Sequence, residues 1–141
     1  KSSRASYATP YPLDANVYLG LANSRDTLHA QAQEAISQLE KIGGSSILLD
    51  HVIQEILTVL LYSSHGELVE PFLEKAFGST NVLPVDTPIE WLQEAAAMAK
   101  QNQYKPKMSI IDWLLLSRSK TTGAPILTFD KQLLAASKKL C

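Results

Sequence analysis

Cysteine is almost missing from this chain: Cys141 is the sole example and the last residue, so no disulfide framework can staple the fold and no Cys-x-x-Cys pair can hold zinc. Histidine is nearly as sparse. His29, His51 and His65 stand in no HExxH or other zinc spacing and read as structural residues. None of the six glycines belongs to a Gly-x-Gly-x-x-Gly or Walker pattern, which removes the common nucleotide-binding signatures. Ser45 and Ser46 follow paired glycines without a nucleophile-base pattern and read as a turn. No apolar run reaches the ~20 residues of a membrane helix, and none follows the opening KSSRAS. Neither a membrane span nor a signal peptide is therefore expected, and a reducing, cytoplasmic setting fits.

What is present suits a globular enzyme. With 141 residues, of which 45% are hydrophobic, the chain can bury a core without staples and reads as one domain over 1–141, residues 1–8 being a flexible N-terminal segment. Net charge is −1, too small for a protein that coats nucleic acid, but its distribution is uneven. Residues 1–99 hold five Lys and Arg against twelve acids, and residues 100–141 hold eight against two. Those two are Asp112 and Asp130, set among Lys105, Lys107, Arg118, Lys120 and Lys131. A basic field of this kind attracts phosphates, although an ordinary solvated surface looks the same in sequence.

Strand and helix signals alternate. Short apolar runs at YPL, Ser46 to Leu49, Asn81 to Val85 and Pro125 to Thr128 read as strands. Helices are expected near Val17 to Leu21, Asp26 to Ile42 (closed by Gly43-Gly44), Asp50 to Ser63, Glu67 to Phe77, Thr87 to Gln101, Ser109 to Gly123 and Lys131 to Lys139. Asp50 suits a helix cap, and TPIE at Thr87 to Glu90 has the capping-box pattern with Pro88 at the first helical position. Such alternation without hairpin turns predicts an α/β fold, a mostly parallel sheet covered by helices on both faces.

Within that scheme four carboxylates fall at or just beyond the ends of apolar runs: Asp14 in PYPLDANV, Glu55 in ILLDHVIQEIL, Asp112 in MSIIDWLLL and Asp130 in APILTFDKQL. In open parallel sheets the working region lies beyond the carboxyl ends of the strands, where these acids can meet. Each also has a plainer reading. Asp14 and Asp130 can cap helices, and Asp112 stands where the capping-box partner of Ser109 belongs. Glu55 lies inside its helix on the stripe Leu48, Val52, Glu55, Val59, Tyr62, so it is either a rim residue or a buried charge that needs compensation. If all four converge, two carboxylates about 4 Å apart repel by roughly 4 kcal/mol at an effective dielectric near 20. A cation relieves that repulsion. All-oxygen ligands select Mg²⁺ or Mn²⁺ over zinc, and such an ion can activate water and offset charge on a phosphoryl oxygen.

The segments that carry these acids, LDANVYLGL, ILLDHVIQEIL and SIIDWLLLSRSKTTGAPILTFDKQLL, resemble the opening, second and closing blocks of the PIN-domain nucleases, and the spacing is similar to that of short VapC-type toxins. The resemblance covers residues 11 to 134. It implies a three-layer α/β/α sandwich with a five-stranded parallel sheet, and Mg²⁺- or Mn²⁺-dependent RNA cleavage. It matches Asp14, Glu55 and Asp112 to the family's core acids, Asp130 to a more variable fourth, and Asn16 and Thr128 to neighbours that brace the site. It also implies an antitoxin partner and a homodimer. Pro10 and Pro12 depart from the pattern, since they stand where the first, central strand should run and proline lacks the ladder N–H.

For substrate contact, Tyr104 with Lys105 and Lys107, together with Arg118 and Lys131, form the candidate RNA-binding set, whereas Trp113 at helical spacing from Leu116 is better placed in the core. Three functions stay open: a metal-dependent endoribonuclease, a PIN-like RNA-binding module that does not cleave, and a receiver-type phosphoacceptor domain. The receiver needs a phosphoacceptor Asp at a middle strand end. Asp86, after VLPV, is instead explained as the loop residue before a helix.

Overall fold

The computed structural model describes residues 9–141, and the expected flexible segment 1–8 lies outside the described residues. The chain runs β1 (Thr9–Pro12), α1 (Ala15–Ala22), α2 (His29–Lys41), β2 (Gly44–Leu49), α3 (Asp50–Tyr62), a 3₁₀ turn (Gly66–Leu68), α4 (Val69–Gly78), β3 (Val82–Val85), α5 (Ile89–Gln101), α6 (Ile110–Thr122) and α7 (Lys131–Leu140). No helix among the described residues is long and apolar enough to cross a membrane. The strands form a parallel sheet in the order β1-β2-β3, with Tyr11 beside Ser46 and Ile47 beside Leu83. All six residues of β2 are buried, so both faces of this middle strand are covered, as helices joining parallel strands require.

Two expectations about the sheet are corrected. It has three strands among the described residues rather than five, and β2 rather than β1 is in the middle. The strand expected over 125–128 is reduced to one bridge, Leu13 with Leu127. Prolines explain both. The Leu127 N–H donates to the Pro12 carbonyl at 3.0 Å and the Asp14 N–H donates to the Leu127 carbonyl at 3.0 Å, so residues 10, 12 and 14 face residues 125–128, and residues 9, 11 and 13 face β2. Extending the ladder one rung back would need N–H groups from Pro12 and Pro125. Neither has one. The β2 side loses nothing, because Pro10 and Pro12 both point away from it. One rung forward, the Phe129 N–H is taken by the Asn16 side chain at 3.2 Å.

Helix ends follow local chemistry where the right group is free. Ser109 caps α6 by accepting from the Asp112 N–H at 3.2 Å, and Gly123 closes it in the left-handed conformation at φ 78°. The capping box at Thr87 does not form: Pro88 takes the cap position without a side-chain bond. Thr87 instead donates its hydroxyl and its N–H to Asp50 Oδ1, at 2.5 and 3.3 Å. Asp50 correspondingly lies in the first turn of α3 rather than capping it, and it ties the end of β2 to the loop after β3.

Helix α6 is buried along seven consecutive residues, Trp113 to Ser119, and packs against α5, α7 and β1. A helix covered on all sides belongs in the middle of the protein. Leu114, Leu115 and Leu116 are fully buried there, joining Leu48, Ile56 and Leu133 in one core. The sheet's lower end is tightest at Gly44, where an added Cβ would meet the Leu39 side chain and come within 3.0 Å of the Tyr11 ring. Gly44→Val is therefore expected to destabilise the protein by about 1–3 kcal/mol through overpacking, measured by urea unfolding.

Candidate active site

Asp14 follows β1 directly and is buried, a position that demands partners for its carboxylate. It has three. Oδ1 accepts from the Ala15 N–H at 2.7 Å, which caps α1, while Oδ2 accepts from the Thr128 hydroxyl at 2.7 Å and the Asn16 amide at 3.4 Å. Thr128 Oγ1 in turn accepts from Asn16 Nδ2 at 3.2 Å and from the Asp130 N–H at 3.0 Å. This network spans 114 residues of sequence and fastens the end of β1 to the turn that carries Asp130. Burial pushes the Asp14 carboxyl above its ordinary range, the Thr128 and Ala15 bonds pull it back, and the Asp130 charge adds a further upward push.

Asp130 caps α7, accepting from the Gln132 and Leu133 N–H groups at 2.8 and 3.1 Å through Oδ1 alone, which leaves Oδ2 for another partner. Glu55 projects from the second turn of α3 and is solvent-exposed, the rim alternative. Partial desolvation and then the Asp14 charge raise its carboxyl. Asp112, in the first turn of α6, is raised furthest, from 3.8 to about 6, by desolvation and then by the charges of Asp14, Asp130 and Glu55. Asp14 and Asp130 are true caps, and capping does not prevent Asp14 and Asp130 from adding, with Glu55, to the upward push that burial gives Asp112.

All four donors are oxygens, the set a hard divalent cation prefers. No three acid, His or Cys side chains among the described residues are gathered tightly enough to cage a bare ion. Magnesium seldom asks for that, since it keeps several waters and takes one or two carboxylates directly. Burial and neighbouring negative charge raise the Asp14, Glu55 and Asp112 carboxyls, so added positive charge would be stabilising beside them, and their oxygen donors suit a hydrated Mg²⁺ or Mn²⁺. A cavity of about 610 Å³ lies elsewhere, between α1, α2 and α4, and none of the four acids lines it.

Of the candidate RNA contacts, Tyr104, Lys105, Lys107 and Lys131 are exposed. Arg118 is not, which corrects its assignment. The residue is only 7% exposed, and its guanidinium donates to Glu94 Oε1 at 3.1 Å and stacks over the Trp91 ring at 4.0 Å. It stands on the buried stretch of α6, where α5 supplies both the opposite charge and the aromatic face, and Nε has no partner. Glu94 and Trp91 carried no sequence signal for this role. Asp50, which also ends an apolar run, lies apart from this pair: desolvation pushes its carboxyl up, but hydrogen bonds from Thr87 and His51 outweigh it and hold it below the usual carboxylate range.

The PIN domain family model matches residues 11–139. Among solved structures, the chain is similar to VapC20 of Mycobacterium tuberculosis, described as a sarcin-ricin loop cleaving toxin, with a TM-score of 0.73 and 16% identity over 89% of this chain and 94% of that one. It is also similar to FitAcB of Neisseria gonorrhoeae, with a TM-score of 0.58 and 16% identity over 91% and 93% of the two chains. No curated protein matches the sequence. At that identity the solved structures speak for the fold, and the family match sets the receiver reading aside.

The raised Asp112 carboxyl makes a stability prediction without metal. Between its ordinary value of 3.8 and about 6 the folded chain holds a proton that the unfolded chain has released, so stability falls as pH rises through that window and stays lowered above it. Asp112→Asn is expected to match the parent near pH 4 and to exceed it by about 1–2 kcal/mol at pH 8, after discounting for screening. Urea unfolding in EDTA at both pH values reads this directly.

Proposed function

The chain belongs to the PIN domain family, and from that membership we propose that it is a metal-dependent endoribonuclease hydrolysing RNA phosphodiester bonds. The observation that carries the reading is the hydrogen-bonded joint in which Thr128 donates to Asp14 and accepts from the Asp130 N–H, holding two of the acids at one end of the sheet, with the raised Asp112 carboxyl in support. A module that only binds RNA gains nothing from a negative cluster, which repels the phosphates it must hold.

In this reading Asp14, Glu55, Asp112 and Asp130 hold one or more Mg²⁺ or Mn²⁺ ions. Bound there, the cation neutralises the acids and supplies Lewis-acid activation of water and of the phosphoryl oxygen. The chain's own part is positioning. Thr128 and Asn16 fix Asp14 Oδ2 by hydrogen bonds, and the Ala15 N–H fixes Oδ1, so this carboxylate cannot swing away when the charge beside it changes. The helix α7 cap holds Asp130 Oδ1 in the same manner. Lys105, Lys107 and Lys131 draw in and retain the RNA backbone from the rim.

Residues 9–141 act as one α/β/α domain, in the cytoplasm. The likeness to a structure described as a sarcin-ricin loop cleaving toxin supports a toxin, and in this reading an antitoxin protein holds it in check and the chain pairs as a homodimer, neither of which the likeness itself speaks for. Asp112→Asn is expected to lower Mg²⁺- or Mn²⁺-dependent cleavage of RNA by at least about 100-fold with an unchanged circular dichroism spectrum. Normal cleavage by that variant removes Asp112 from the site. Neutralising Lys105 and Lys107 together is expected to weaken RNA binding at low salt and to flatten the salt dependence by about two phosphate contacts. Filter binding across a salt series measures it, and an unchanged slope takes the pair out of the interface.

A further inference from the structure

We propose that Asp50 and Thr87 form a second brace of the site, a pair of positioning residues that sets the gap between Glu55 and Asp112 and so the grip on the cation. The proposal rests on the metal-dependent reading above. Glu55 rides on α3, which packs against α1, α4 and β2, whereas Asp112 rides on α6, which packs against α5, α7 and β1. The two acids therefore belong to separately packed groups of helices. The Thr128 joint fastens Asp14 to the turn bearing Asp130, but it reaches neither Glu55 nor Asp112.

The bonds at Asp50 span that division. Leu49 stands at the cap position of α3 without a side-chain bond, so the first turn is held by Asp50, whose Oδ1 accepts from the His51 N–H at 2.8 Å. The same oxygen accepts from the Thr87 hydroxyl and N–H, at 2.5 and 3.3 Å, and α5 begins just beyond Thr87, at Ile89. Pro88 confines Thr87 to extended backbone and takes the cap position of α5 itself, which leaves the Thr87 hydroxyl for Asp50. The lever arms are short. Glu55 stands ~7.5 Å along the α3 axis from Asp50, and α5 is the helix on which α6 chiefly packs. Asp50 acts as an anchor and not as a fifth ligand. Desolvation pushes its carboxyl up, but the Thr87 and His51 bonds outweigh that and hold it below the usual range, the reverse of Asp14, Glu55 and Asp112. A carboxylate already satisfied by charge-assisted bonds gives a fixed point rather than a demand for a cation.

The test measures Mn²⁺ binding by the full chain without RNA, reading free Mn²⁺ by electron paramagnetic resonance. Thr87→Val removes the hydroxyl and keeps both N–H bonds to Asp50, so the carboxylate retains donors and the chain folds. It is expected to weaken Mn²⁺ binding about tenfold, as loss of a group that orients a ligand commonly does. Thr87→Ser is expected to restore the parent's affinity. Gly44→Val, which strains the opposite end of β2, is expected to bind Mn²⁺ as the parent does while unfolding at lower urea, and this separates positioning from a general loss of stability. Parent-like affinity in Thr87→Val, or an equal loss in Gly44→Val, overturns the brace. RNA cleavage by the unsubstituted chain is assayed in parallel. Cleavage with a Mn²⁺ affinity indifferent to Thr87 sinks only the brace, Mn²⁺ binding that responds to Thr87 without cleavage sinks only the nuclease reading, and a parent that binds no Mn²⁺ overturns both.

Discussion

The hydroxyl of Thr128 joins the two ends of this protein's site. It donates to a buried carboxylate after the first strand and accepts the N–H of an acid more than a hundred residues later. Burying the Asp14 carboxyl without such partners would cost several kcal/mol, so the bond is a condition of the arrangement rather than an addition to it. The neighbouring backbone depends on it as well. With prolines at 10, 12 and 125, Leu127 makes one backbone bond to Pro12 of β1 and one to Asp14 just beyond it, and the side chains of Asp14, Asn16 and Thr128 complete the joint that a longer ladder would otherwise make.

A joint made of side chains has a functional consequence that a ladder lacks. Ladder bonds hold main chain alone, whereas these bonds end on the Asp14 carboxylate. The structure that closes the sheet therefore orients Asp14 as well. Asp112 stands differently: its helix is capped through its N–H by Ser109, which leaves its carboxyl exposed to the charges of the other three acids. One acid is satisfied and fixed, another is frustrated and raised. That asymmetry suits a place where a cation is drawn by the unsatisfied member and located by the satisfied one.

Much of this was legible in the sequence because it rests on local chemistry. Ser109, Gly123 and Asp130 behave as their positions along the chain suggest, and the strand-helix alternation fixes which ends the acids occupy. The failures share a cause, since each concerns a partner chosen across space. Thr87 and Glu90 spelled a capping box, yet Asp50 offered the Thr87 hydroxyl a stronger, charged acceptor. Arg118 read as one more cation in a basic tract, but the side chains that claimed it, Glu94 and Trp91, lie on another helix. Pro10 and Pro12 read as a defect in a central strand. Their harm depended on which edge they faced, which only the register could say.

Arg118 also changes how the charge asymmetry is to be understood. A buried guanidinium paired with Glu94 offers no field to a ligand, since its charge is answered locally. The attraction for phosphate then falls to the lysines on the loop before α6 and at the start of α7, which flank the two acids of the same region. Along the sequence, exposed lysines stand before Asp112 and after Asp130. In the proposed reading, RNA is attracted by these lysines at its flanking phosphates and repelled by the acids until their charge is reversed. Binding and the reversal of that charge are thus coupled by electrostatics alone, with no moving part required.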